Sequence, residues 1–74
     1  MVKAIILVKS SKKLIAAKLG KIDQIFESFP VSGQFDAVVR IDVEDLIKIK
    51  EIATEIQKMV GVERTETMIE VNSN

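Results

Sequence analysis

Apolar positions along this chain follow two rhythms, one of period two and one of helical spacing. Val2 to Val8 is an almost unbroken apolar run, with Val2, Ala4, Ile6 and Val8 on one side of an extended chain and Ile5 and Leu7 on the other. Successive strand residues point to opposite faces, so this run predicts a central strand covered on both sides. The spacing then lengthens. Leu14, Ile15, Ala17, Leu19 and Ile22 recur at helical intervals up to and slightly beyond Gly20, and Ser10 or Ser11 is placed to cap a short helix.

Alternation returns over residues 24–32, where Ile25, Phe29 and Val31 fall in phase and Pro30, lacking an N–H, points to a sheet edge. Phe35, Ala37, Val39, Ile41 and Val43 form a period-two stripe opposite Asp36, Val38, Arg40 and Asp42. The short glycine-containing connection between these runs predicts a hairpin. A second, better amphipathic helix carries Leu46, Ile49, Ala53, Ile56 and Val60, with Asp42 or Glu44 as its cap and Gly61 as its stop. A last strand spans residues 62–71. The order β-α-β-β-α-β predicts an α+β, ferredoxin-like split βαβ fold: a four-stranded antiparallel sheet, first and third strands central, with two helices on one face. Residues 1–74 read as a single domain, with Asn72-Ser73-Asn74 as a tail.

Helices on one face leave the other open, yet the first strand is apolar on both sides. A contiguous apolar patch on an open sheet predicts a second subunit. Size agrees, because a chain this short buries only about 60% of the surface its unfolded form exposes. With no cysteine and no histidine, disulfides and ordinary metal sites are not available as staples, and self-association is.

Eleven basic and eleven acidic side chains cancel, which argues against direct nucleic-acid binding. The cluster Lys9, Lys12, Lys13 and Lys18 reads as a solvated helix face. No apolar run approaches the roughly 18 residues of a membrane span, and no signal peptide is recognisable, so a cytoplasmic location is expected. Without Cys or His no nucleophile and base can be assembled, so no enzyme activity and no cofactor or metal are expected. The carboxylate pairs Glu44-Asp45 and Glu63/Glu66 read as surface charge, and three isolated glycines make no phosphate loop. Base stacking on a split βαβ sheet would need aromatics on the first strand, which has none. Phe26, Phe29 and Phe35 are expected to pack.

Two polar segments remain. In Val31-Ser32-Gly33-Gln34-Phe35-Asp36, Gly33 can supply positive φ and Asp36 can bond nearby backbone, which makes a tidy hairpin. The same residues can serve a small zwitterion: Asp36 accepts from an ammonium while the free N–H groups of Gly33 and Gln34 face a carboxylate. Thr65 and Thr67 share one face of the last strand, where their hydroxyls either pair across strands or complete such a pocket.

VSGQFDAVVRIDVEDL followed by a helix and VGVERTETMIEV resembles the effector-binding, or RAM, domain of the Lrp/AsnC transcriptional regulators over nearly the whole chain. The specific features are Gly33-Gln34-Phe35-Asp36, Gly61-Val62 and Thr65-Glu66-Thr67. The chain starts directly at the first sheet strand, without a helix-turn-helix domain, and so resembles the stand-alone members. The resemblance implies amino-acid binding lined by Ser32, Gly33, Gln34, Asp36, Thr65 and Thr67. It also implies a homodimer formed through the sheets and further assembly into rings such as octamers. Any influence on transcription would run through mixed assembly with full-length regulators, since the isolated chain is not expected to bind DNA. Pro30 and the short first helix are less typical of the family. Alternatives are an ACT-like amino-acid-binding module, whose glycine turn after the first strand is here Lys9-Ser10-Ser11-Lys12, and a dimeric ferredoxin-like barrel enzyme, which would normally bring His, Tyr or Trp to its cavity. A purely structural assembly subunit is the third.

Overall fold

The computed structural model describes residues 1–71, and the tail Asn72-Ser73-Asn74 lies outside the described residues. Its elements are β1 (Val2–Ser10), α1 (Ile15–Leu19), β2 (Ile25–Pro30), β3 (Ala37–Val43), α2 (Leu46–Gln57) and β4 (Val62–Ile69). They form one four-stranded sheet in the order β2-β3-β1-β4, with antiparallel pairing throughout. The expected topology is therefore present, with β1 and β3 central and Pro30 on an edge strand.

Register fixes the two faces. Ala4, Ile6 and Val8 of β1 stand opposite Ile41, Val39 and Ala37 of β3, and all six are buried beneath the helices. Ile15 and Leu19 from α1 and Ile49, Ile52 and Ile56 from α2 complete this core. On the other face, Phe29, Val38 and Leu7 lie in one cross-strand row and Ile5 and Met68 in the next, and all five are only half-buried or exposed. The open apolar face is thus real.

Several local expectations are corrected. Neither serine caps α1: β1 runs through Ser10, and the N-cap is Leu14 at φ 62, without a side-chain hydrogen bond. In α2 the cap is Asp45, not Asp42 or Glu44, and its Oδ1 accepts from Lys48 N–H at 3.0 Å. Asp42 instead lies within β3, where its Oδ1 is buried without a hydrogen-bond partner. The buried stripe of α2 runs through Ile52, while Leu46 and Val60 are exposed. Helix α2 ends at Gln57, so Gly61, at φ 90, leads into β4 rather than closing the helix.

A shift of register between Ile25 and Glu27 sets two residues of β2 against one of β3, the count of a β-bulge. It breaks the phase expected between Ile25 and Phe29: Ile25 is buried under the helices, whereas Phe29 faces Val38 on the open side. Phe26 is 58% exposed, with the Arg40 guanidinium 5.5 Å from its ring centre. None of the three phenylalanines joins the core.

Candidate functional site

At one end of the sheet three connections converge: β1 to α1, β2 to β3, and α2 to β4. The β2–β3 loop is closed at its base by Val31 N–H donating to Asp36 C=O at 3.0 Å, while Asp36 N–H donates to Val8 C=O at 2.8 Å. Between these anchors the chain turns at Gly33, whose φ of 122° lies in a region that side-chain-bearing residues rarely adopt. Space around Gly33 is open, and Ser32, Gly33 and Gln34 are all exposed. Among the described residues, no hydrogen bond engages the N–H of Gly33 or Gln34. These are the free donors a bound anion would need.

Asp36 is half-buried and already employed. Its Oδ2 accepts from Ser10 N–H at 2.8 Å and lies 3.7 Å from Lys9 Nζ. The carboxylate thus fastens the loop to the end of β1. Phe35 is held from the other side, with the Arg64 guanidinium 5.2 Å from its ring centre.

The threonines occupy the neighbouring edge strand. Thr65 stands opposite Val8 and Thr67 opposite Ile6, so both point to the helix side of the sheet. Thr65 Oγ1 accepts from Gln57 Nε2 at 2.9 Å, which ties β4 to the last turn of α2, while Thr67 is exposed. Lys9 and Arg64 pair on the opposite face. Within one protomer the sheet therefore brings the loop and the threonines to one end, separated by β1, rather than around one cavity. The row Ala37–Val8–Thr65 crosses three strands, roughly 10 Å at the usual strand spacing.

A cleft of about 240 Å³ opens beside the loop, lined among others by Lys12, Leu14, Ala17, Pro30 and Asp36. Of these, only Asp36 is expected from the sequence. Lys12 and Leu14 reach the cleft because α1 is a single short turn, which periodicity alone overestimates. Sequence reasoning also misses the part Ser10 plays behind the cleft: it is 7% exposed, its hydroxyl donates to Gly61 C=O at 2.8 Å and accepts from Lys12 N–H at 3.0 Å. No cluster of three or more His, Cys, Asp or Glu able to hold a metal occurs among the described residues, and none of their helices is long and apolar enough to cross a membrane.

Known structures share this fold. A protein from Thermus thermophilus superposes with a TM-score of 0.84 at 26% identity, covering 100% of this chain and 98% of that one. A hypothetical protein from Pyrococcus horikoshii gives 0.84 at 28% identity, covering 99% of this chain and 93% of the other. A feast or famine regulatory protein from M. tuberculosis, solved as a complex with L-methionine, shares the fold at 18% identity with a TM-score of 0.82. There the match covers 99% of this chain and 52% of the regulator, about half its length. No curated protein matches the chain significantly. The family model for the Lrp/AsnC ligand binding domain matches residues 3–73. Fold, turn motif and family model agree, and the chain belongs to the Lrp/AsnC ligand-binding domain family.

Proposed function

We propose that this protein is a cytoplasmic amino-acid-sensing module that assembles with itself and modulates transcriptional regulation without binding DNA. The observation that carries the reading is the β2–β3 loop: two unengaged N–H groups around a positive-φ glycine, exposed beside a cleft and secured at both ends. Ser32, Gly33 and Gln34 form one wall of the site, and Asp36 fastens the base of that wall to the end of β1. Thr65 and Thr67, separated from that wall in a single protomer, join it at a contact with another subunit. The L-methionine complex of the M. tuberculosis regulator supports the ligand class.

The open sheet face supports the first step of assembly, a homodimer. Ile5, Leu7, Phe29, Val38 and Met68 make a continuous apolar strip across all four strands, flanked by Arg40, Glu27 and Glu66. Dimers then associate into a ring such as an octamer, and mixed assembly with full-length regulators would carry the signal to DNA.

Native mass spectrometry with a panel of amino acids tests both parts together. The expected outcome is an even-numbered oligomer that retains one of the amino acids in stoichiometric amount. A monodisperse monomer, or an assembly that retains none of the panel, sinks the reading.

A further inference from the structure

We infer that Ser10 and Asp36 form a latch that positions the candidate binding loop, and that Asp36 acts through this latch rather than as the counter-charge of a ligand. Asp36 Oδ2 is 2.8 Å from Ser10 N, and the nearby Lys9 ammonium, at 3.7 Å, offsets its charge from within the chain. Both partners share Oδ2, and an additional cation from a ligand would have to compete with the Lys9 ammonium for the same charge. What the carboxylate does accomplish is geometric: with Asp36 N–H on Val8 C=O, it fixes the loop at two points of β1.

The latch extends beyond the loop. Ser10 is nearly inaccessible, and its hydroxyl donates to Gly61 C=O while accepting from Lys12 N–H. Ser11 N–H donates to the same Gly61 carbonyl at 3.3 Å. One residue therefore joins the β2–β3 loop, the connection into α1 and the turn into β4. Backbone amides of the loop can bind an anion only if their directions are set beforehand, and this junction is what sets them.

This inference rests on the proposed amino-acid site, and comparing Asp36→Asn with Asp36→Ala separates the two. Asparagine keeps an oxygen that can accept from Ser10 N–H but has no charge, whereas alanine has neither. Two readouts are needed: hydrogen exchange at the Ser10 amide and across residues 31–36, and calorimetric affinity for whichever amino acid the parent retains. The alanine variant is expected to speed Ser10 exchange at least about tenfold and to weaken binding by roughly ten- to a hundredfold, the range of one hydrogen bond to a charged group. The asparagine variant should stay within about threefold of the parent in both. Equal loss of affinity in both variants, with Ser10 still protected in the asparagine variant, would overturn the latch and assign the charge to the ligand. Unchanged Ser10 protection in the alanine variant would overturn it too. If the parent binds no amino acid, the proposed function fails, and the exchange comparison still decides whether the latch exists.

Discussion

Leu14 combines two unfavourable features: a left-handed backbone at φ 62 and a side chain 79% exposed. A left-handed conformation costs a branched, non-glycine residue about 1–2 kcal/mol, and here little burial offsets it. Its carbonyl nevertheless starts α1, accepting from Ala17 and Lys18 N–H at 3.1 and 3.3 Å. Asparagine tolerates this backbone better than leucine does, so Leu14→Asn is expected to stabilise the protein by about 0.5–1 kcal/mol. In a thermal melt that is a rise of roughly 2–8 °C for a domain of this size. A fall in Tm would show instead that the leucine is covered by another copy. A sequence pattern registers Leu14 only as one more apolar position at helical spacing, because periodicity carries no information about the sign of φ.

Where elements meet, Gly61 is the most constrained position. Its φ is 90°, and a Cβ added there would collide with Lys12 Cγ. The lysine side chain can swing aside, but the backbone cannot, so Gly61→Ala is expected to cost about 1–2 kcal/mol. Urea denaturation should show a lower midpoint with an unchanged slope. The need for glycine here was legible in the sequence. What it terminates was not, since α2 stops at Gln57 and three further residues turn before Gly61 leads into β4. The same contrast runs through the other elements. Strand order could be read because β1 is apolar on both sides and Pro30 excludes a central position. The phase of α2 could be read through its middle, where Ile49, Ala53 and Ile56 face the core, but not at its ends, because Leu46 and Val60 continue the apolar spacing yet lie beyond the reach of the sheet, and Ile52 joins the buried stripe instead. For the candidate site, the loop and its glycine were visible as a motif. The employment of Asp36 by Ser10 was invisible, since it joins residues 26 positions apart.

At the scale of the whole molecule, the open face of the sheet is the dominant feature. Burying it against a second copy would remove Ile5, Leu7, Phe29 and Met68 from water, while Arg40 and Glu27 can remain paired at its margin at 3.0 Å. Ile5 lies on β1 and is 37% exposed, so replacing it perturbs the protomer's own core little. Ile5→Lys would place an unpaired charge in the proposed contact from each side of a two-fold interface, a costly arrangement. The proposed dimer is expected to weaken at least about a hundredfold, read by sedimentation or light scattering across a dilution series, with far-ultraviolet circular dichroism unchanged. An unaltered mass profile would remove the sheet face from the assembly.

The position of β1 also dictates the order in which the protein can be completed. Its partners are distant in sequence, with Ala4 opposite Ile41 on one side and Ile69 on the other. During synthesis the first strand emerges before either partner exists, and it acquires its second neighbour only after residues 62–69 have left the ribosome. Until then the nascent chain carries a bare edge made of Ala-Ile-Ile-Leu-Val, unprotected by proline and with lysine only at its ends, which is the kind of edge that recruits foreign strands. During synthesis β4 is therefore the last strand to become available to β1, and the interval before it emerges is when a chaperone would have most to shield.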